Sequence, residues 1–362
     1  MLAKGLFWGS LGALAWTHAL YPPAAAALAR VRERRVAKAE IEPTVTVIVA
    51  AYNEETVIER RLENLRALDY PSEKLELVVT SDASSDRTEE LAEAAGACVI
   101  RNPRGGKVAA QDRAVRETTG EIVAFSDANA TWAPEALRKL VRNFADPEVA
   151  YVCGRLRLEH ADASNREGAY WRYELRLRQS ESRLGSVTGG NGSIYAVRRE
   201  DYVEVDPRFG HDLAFPYLMV QRGRRAVYEP EALAFEKPTP SNEAEYRRKM
   251  RMFEHCWLIT LRGRMLRDLP ALYRVEIVSH RLLRYGSGLL HVVLLGTSLT
   301  LVREGLVYQL ALAAQLALLA AAAAGVGLAR YYVLVTWATL VSLQHYLRRG
   351  VPATWDAAEG TR

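Results

Sequence analysis

Long stretches without a formal charge lie at both ends of this chain, and they constrain its fold more than any other feature. Gly5 to Ala29 contains no Asp, Glu, Lys or Arg. At about 1.5 Å per residue, a helix of that length crosses a hydrocarbon core of roughly 30 Å. Pro22-Pro23 is expected to kink this helix or end it early. A cleaved signal peptide is the alternative, but no small-residue cleavage site precedes the basic cluster. At the other end, Tyr285 to Val302, Gly305 to Ala329 and Tyr331 to Leu347 are uncharged, bounded by Arg284, Arg303 with Glu304, Arg330, and Arg348 with Arg349. The first two read as spanning helices. The third is short, holds Gln344 and His345, and reads as spanning, interfacial or re-entrant.

Arg30, Arg32, Arg34, Arg35 and Lys38 follow the first stretch, against Lys4 alone before it. The positive-inside rule therefore puts the following domain in the cytoplasm of a multi-pass cell-membrane protein. The chain's formal charge of +5 lies largely in such basic clusters, where anionic head groups of membrane lipids would attract it. Nucleic acid is not expected as a partner, because zinc-knuckle spacing and aromatics interleaved with the Arg runs are both missing. Cys98, Cys153 and Cys256 are odd in number and widely spaced, which suits reduced, structural thiols. The expected segments are 1–30 as an N-terminal transmembrane helix, 44–240 as a soluble domain, 241–284 as interfacial helices, 285–347 as two or three transmembrane helices, and 348–362 as a tail.

Between the apolar ends, strands and helices alternate. Val45 to Ala51 is a continuous apolar run, as in a strand covered on both faces. It ends in Tyr52-Asn53-Glu54-Glu55, ahead of a helical pattern at Val57, Ile58, Leu62 and Leu65. Leu75 to Thr80 is a second strand, and Ser81 to Thr88 offers N-cap residues to a second helix. Cys98 to Ile100 is a third, followed by Gly105-Gly106-Lys107 and a helix to about Thr118, and Glu121 to Phe125 is a fourth. This order predicts an α/β domain with a doubly wound, mostly parallel sheet. Ligands of such sheets bind at the carboxyl ends of the strands, where Tyr52, Glu54, Asp82, Lys107, Asp127 and Asn129 all fall. Each alone is as readily a turn or cap residue, but six converging on one edge point to a site. The turn AAYNEE lacks the glycines of a dinucleotide fingerprint, and no G-x-x-x-x-G-K-[ST] loop is present, which weighs against dehydrogenase and ATPase readings.

The ordered segments VTVIVAAYNEE, SDASSDRT, GGK, GEIVAFSDANA, GGNGSIYAVRR, GHDLAFPYLMVQRGRRAVYEPEALAFE and YRRKMRM resemble the inverting family 2 glycosyltransferases with a GT-A fold. SHRLLRY and PATWDAAEGTR are similar to their membrane-bound, polysaccharide-synthase-like branch. The resemblance implies a nucleotide-sugar donor, with a UDP-sugar expected, and a glycan or lipid acceptor. It assigns Ala51, Tyr52, Glu54 and Asp82 to the base and ribose, with Lys107 nearby. Asp127 and Asn129 take the D-x-D positions, where the diphosphate and a Mg²⁺ or Mn²⁺ ion sit. Asp212 matches the general base. Asn191, Gly192, His211, Arg248 and Arg251 fall where the family contacts or gates the acceptor. Arg248 and Met252 replace the Gln and Trp of the synthase Q-x-x-R-W segment.

The chemistry of transfer accounts for these residue types. An attacking hydroxyl must lose its proton, which one carboxylate within hydrogen-bond reach accepts. A departing nucleoside diphosphate is offset by a cation and by basic side chains. Asn129 offers an amide oxygen, an acceptable ligand for a hard cation, with one negative charge fewer than an Asp. His211 has three readings: protonated and holding Asp212 ionised, neutral and orienting a substrate hydroxyl, or on the surface and turned away. Asn191 and Gly192 read either as acceptor-site backbone or as a tight turn before a strand from Ser193 to Val197. With three or four spans, a homo-oligomer, a narrow channel or a lipid acceptor each remains compatible with the sequence. The rivals are a non-processive enzyme acting on a polyprenyl phosphate or ceramide-like lipid and a catalytically silent membrane scaffold.

Overall fold

The computed structural model describes residues 1–159, 166–238 and 242–354. The end of the expected tail, 355–362, lies outside the described residues. Eight strands form one sheet: β1 Val45–Ala51, β2 Leu75–Asp82, β3 Cys98–Asn102, β4 Ile122–Asp127, β5 Thr131–Trp132, β6 Val149–Leu158, β7 Tyr195–Arg198 and β8 Arg225–Glu236. Their order across the sheet is β3-β2-β1-β4-β7-β6-β8-β5.

The first half is parallel, as the alternating pattern predicts, with Ile48 opposite both Val78 and Phe125. Both faces of β1 are covered, which is why its sequence is apolar throughout. Val45, Val47 and Val49 pack with Ile58, Leu62, Leu137 and Leu140 on one side. Ile48 packs with Ala114, Phe125, Phe215 and Met219 on the other.

The second half departs from the expected mostly parallel arrangement. β7 runs antiparallel to both β4 and β6, and β5 is antiparallel to β8. The chain leaves β6 through the helix Arg166–Leu184, which packs on the sheet, and a following loop turns it back so that β7 runs opposite to β6. The sheet is therefore mixed, and the domain is a GT-A-like α/β fold.

The N-terminal segment is helical from Leu2 to Val31, with a π turn at Trp16–Leu20. Pro22-Pro23 neither ends nor interrupts it, contrary to the expected early stop. The prolines open the second helical piece, Tyr21–Val31, where the wider π turn has already displaced the backbone ladder. Beyond the sheet come the helices Asn242–Arg262, Ala271–Tyr285, Ser287–Thr300, Leu306–Ala323 and Gly327–Arg349.

Among the described residues one helix, Leu306–Ala323, is by itself long and apolar enough to cross a membrane, with a mean hydropathy of 1.8. Ala271–Tyr285 and Ser287–Thr300 meet that test together but bend by 66° where they join. The expected short segment 331–347 lies inside the 23-residue helix Gly327–Arg349. It packs along Asn242–Arg262, where the Trp257 indole N–H donates to the Thr339 carbonyl at 2.8 Å.

The basic cluster after the first helix is exposed, and two of its members also pair within the chain. Arg34 pairs with Glu148 at 2.8 Å and Lys38 with the fully buried Glu229 at 2.7 Å. Arg225 donates to the backbone carbonyls of Arg34 and Arg35. These charges tie the segment to the sheet domain. Cys153 and Cys256 are free and buried, and Cys98 is free and exposed.

Candidate functional site

The carboxyl ends of β1, β2 and β4 meet at one edge, and the turns after β1 and β2 are knitted to each other. Asn53, at φ 55°, accepts from the Ser85 N–H at 2.8 Å, and the Glu54 N–H donates to the Thr88 hydroxyl at 2.7 Å. Asp82 ends β2 and is 4% exposed. Its carboxylate accepts from the backbone N–H of Gly105 at 2.7 Å and of Gly106 at 3.0 Å, and it pairs with Arg104. The Arg104 guanidinium lies 3.3 Å from the centre of the Tyr52 ring. Tyr52, Asp82, Arg104 and Gly105-Gly106 thus form one polar, aromatic-walled corner next to Ala51 and Glu54.

Gly106, at φ 94°, has no room for a side chain, because a Cβ there would meet the Ala353 carbonyl oxygen at 2.2 Å. The segment after Gly327–Arg349 consequently rests on this corner. Lys107 begins the next helix and forms an ion pair with Asp127 at the end of β4. Burial acts to lower the Lys107 pKa, but Asp127, helped by Asp212 and Glu236, outweighs it and raises the value. The ammonium therefore stays charged beside Asp127. Asn129 follows two residues later, partly buried, in the turn before β5.

The loop before β7 closes the opposite side. A Cβ on Gly192 would lie 3.3 Å from Lys107 Nζ and 3.8 Å from Asp127 Oδ2, so its bare backbone faces the ion pair. The Gly190 N–H donates to the Asp212 carbonyl at 2.6 Å, and a Cβ there would meet the Tyr151 hydroxyl at 2.0 Å. This contact seats Asp212, in the first turn of the helix His211–Gln221, next to the loop. The Coulombic influence of Asp212 on Lys107 joins the two sides electrostatically.

Two acceptor-side expectations are revised. Asn191 is 8% exposed, and its amide donates to the Gly154 carbonyl at 2.6 Å while its oxygen accepts from the N–H groups of Ser193 and Ile194. The turn reading therefore describes this side chain, which is consumed in shaping the loop. His211 is neither on the surface nor turned toward Asp212's carboxylate by any hydrogen bond. It is 3% exposed, shares a 2.9 Å hydrogen bond with the Tyr195 hydroxyl, and stacks on Phe215. Burial lowers its pKa, against the pull of Asp112 at 3.7 Å. Arg248 forms a bidentate contact with Glu245 on its own helix and acts Coulombically on Glu236. Arg251 is partly buried one turn on, and Met252 is exposed.

Glu236 is a site residue that the sequence reading missed. It ends β8, accepts from the Ser193 hydroxyl, and has its pKa raised by burial first and by Asp127 second. A signal for it existed: it is a carboxylate closing an apolar strand, as Asp82 and Asp127 are. Arg104 had no comparable signal, because its role depends on where Tyr52 falls across the sheet edge.

Asp127 Oδ1 is engaged by Lys107, and Oδ2 and the neighbouring Glu236 carboxylate are hard oxygen donors at this edge. Among the described residues no group of three or more His, Cys, Asp or Glu side chains is placed to hold a metal ion unaided. The donor set fits a divalent cation that takes its remaining ligands from a diphosphate.

Known proteins match this arrangement. The sequence model of glycosyl transferase family 2 matches residues 46–205. An N-acetylglucosaminyltransferase of Sinorhizobium fredii is 30% identical over 261 residues, covering 64% of this chain and 61% of that protein. A beta-monoglucosyldiacylglycerol synthase of Synechocystis is 32% identical over 163 residues, covering 42% of this chain and 33% of that protein. The chain thus spans less than two thirds of the length of either relative. The structure of a mannosyltransferase from Pyrobaculum calidifontis in complex with GDP-Man and Mn²⁺ superposes with a TM-score of 0.73 at 24% identity, covering 96% of this chain and 98% of that one. That likeness is one of fold. Residues 46–205, which hold the parallel strands and the glycine loop before β7, are thus the part of the chain that is similar to glycosyl transferase family 2.

Proposed function

We propose that this protein is a membrane-bound inverting glycosyltransferase that moves a sugar from a nucleotide-sugar donor to a membrane-associated glycan or lipid acceptor. The observation that carries the reading is the meeting of Lys107–Asp127 and Asp212 around the glycine loop 189–192, with Asp82 held by the Gly105-Gly106 backbone that leads into Lys107. The Tyr52 and Asp82 corner takes the base and ribose. The diphosphate lies toward Lys107, with Arg248 and Arg251 contributing positive charge as the leaving group departs. Asp212 accepts the proton of the attacking hydroxyl. Asp127 and Asn129 would hold a Mg²⁺ or Mn²⁺ ion, which would supply Lewis-acid charge at the diphosphate.

Membrane attachment is supported by apolar residues that no other part of the chain covers. Leu310 is 59% exposed on Leu306–Ala323, Val292 57% on Ser287–Thr300, and Trp8 53% on the first helix. Exposed apolar surface on three helices that pack together favours lipid over water around them. In this reading the protein is a multi-pass cell-membrane protein with its sheet domain in the cytoplasm.

The test is a panel of nucleotide sugars offered to membranes containing the full chain, with and without EDTA. Transfer of sugar from one donor to a membrane-extractable product, lost on chelation and lost in Asp212→Asn, is the expected outcome. No transfer from any donor would favour the silent scaffold. Label confined to a single-sugar lipid would exclude polymer synthesis.

A further inference from the structure

Two arginines beside the acceptor loop are the feature that the reading above does not use. Arg178 is 9% exposed, on the helix Arg166–Leu184. One terminal nitrogen donates to the Gly190 carbonyl at 3.0 Å, while the other, Nη1, is buried with no hydrogen-bond partner. Arg281 comes from the helix Ala271–Tyr285 and donates through Nε to the Thr188 hydroxyl at 3.0 Å and to its carbonyl at 3.2 Å. Its Nη2 lies 2.5 Å from where a Cβ on Gly189 would sit, so only glycine leaves room for it there. Two guanidinium groups from different parts of the chain thus converge on Thr188-Gly189-Gly190.

Other buried arginines of the protein have carboxylate partners: Arg225 has Asp146, Arg142 has Glu229 and Arg284 has Glu174. Arg61 has none, but its two terminal nitrogens are spent on Asn64 and Ser126. Arg178 and Arg281 have no carboxylate within salt-bridge distance among the described residues. Glu181 attracts Arg281 Coulombically, yet its oxygens are taken by Tyr21 at 2.9 Å, Thr188 at 2.9 Å and His280 at 2.7 Å. Arg178 is held out of water and Arg281, which also bonds Tyr285, partly so; without a direct counter-ion this is costly, and an anionic ligand reduces that cost.

We propose that Arg178 and Arg281 bind a phosphate group carried by the acceptor, which makes the acceptor a phosphate-bearing lipid. The inference rests on the glycosyltransferase reading for the word acceptor, but the binding site itself does not. The loop has Lys107 and Asp127 beside Gly192 and the arginine pair beside Gly189 and Gly190, with Asp212 tied in at Gly190. A donor diphosphate at one end and a second phosphate at the other fit that order, with the reacting hydroxyl between them at Asp212. Guanidinium groups suit phosphate because they offer paired N–H donors in one plane. A lipid source follows from the walls. Arg281 lies in the helix that joins the apolar Ser287–Thr300, and Tyr173, on the same helix as Arg178, donates to the His18 carbonyl of the N-terminal segment.

The test uses the full chain in phosphatidylcholine nanodiscs, with farnesyl phosphate as probe, farnesol as its neutral counterpart and empty discs as reference. Binding of UDP and GDP is measured on each sample. Wild-type protein should hold farnesyl phosphate at least about tenfold more tightly than farnesol, and Arg178→Met and Arg281→Met should each lose about tenfold, with nucleotide binding kept. Arg178→Lys should recover part of the loss. Where a Met variant also loses nucleotide binding, the Lys variants decide: they retain preference for the phosphate if the inference holds. Equal retention of farnesol, or displacement by inorganic phosphate at the same concentration, would overturn it. Wild-type protein that binds farnesyl phosphate but neither nucleotide would instead sink the glycosyltransferase reading and leave this site standing.

Discussion

The two sides of the pocket are assembled on different plans. In the proposed assignment every donor-side side chain named above except Glu236, Arg248 and Arg251 comes from residues 51–129, delivered by the ends of strands β1 to β4 and the turns that follow them. The acceptor loop 186–192 is held by residues from the whole length of the chain: Tyr21 and His280 through Glu181, Arg281 directly, and Asp212 through its backbone. The donor side is local apart from the Ala353 segment that rests on Gly106. The acceptor side exists only when both ends of the chain have packed against the sheet, so the two should respond to different mutations.

The largest effect expected is from Asp212→Asn. If Asp212 serves only the acceptor hydroxyl, transfer falls by about 10²- to 10⁴-fold while nucleotide affinity stays within about twofold. Single-turnover transfer and UDP or GDP binding, measured on one preparation, separate these. Equal loss of both would mean that the two sides do not function separately.

Asp82→Ala is the reciprocal experiment. It removes the acceptor for two backbone N–H groups and the partner of Arg104. Hydrogen bonds to a charged group contribute about 1.5–3 kcal/mol each, so nucleotide affinity should drop by roughly ten- to a hundredfold. Acceptor KM should not move. A rise in acceptor KM with unchanged nucleotide affinity would reverse the assignment of the corner.

This contrast also explains what could be read from the sequence. The parallel order of β1 to β4, and the edge on which Tyr52, Asp82, Lys107 and Asp127 meet, follow from apolar runs ending in polar residues, because βαβ connection is a local rule. The antiparallel β7 was not legible as such: a four-residue strand such as Tyr195–Arg198 carries no signal of its direction. Which of the readings of His211 holds was not legible, because its burial comes from Phe125, Tyr195, Tyr202 and Phe215, aromatic residues scattered over ninety positions. That Arg34 and Lys38 pair with Glu148 and Glu229 was not legible because those partners lie far away in sequence. Glu236 could have been found by the strand-end rule that found Asp127.

Glu181→Gln probes the long-range side at its centre. Burial acts to raise the pKa of this carboxyl, but His280 and then Arg281 and Tyr21 pull it below the ordinary range, so it is a charged acceptor for Tyr21, Thr188 and His280. An amide keeps the volume but offers one acceptor fewer and loses the charge. Acceptor KM should rise about tenfold, equivalent to about 1.4 kcal/mol, with nucleotide affinity unchanged. A purely structural role would instead lower both together, along with the unfolding temperature.

The smallest effect expected lies behind the pocket and concerns pH. His211 is buried against Tyr195 and Phe215, and burial depresses its folded pKa below the ordinary 6.5. Above that value the ring is neutral in both folded and unfolded chains and contributes nothing to pH dependence. As pH falls below 6.5 the unfolded chain takes up a proton that the folded ring resists, so stability declines from that point downward. The loss attributable to this one ring is about 1 kcal/mol by one pH unit below its unfolded value. His211→Gln, which retains a hydrogen-bonding group for Tyr195 but cannot titrate, should flatten the acid limb of the unfolding temperature against pH. It should leave the pH dependence of transfer near neutrality unchanged if Asp212, as proposed, is the group that meets the substrate. If the variant instead shifts the pH profile of transfer and leaves that of stability alone, His211 acts on Asp212 and belongs to the acceptor side after all.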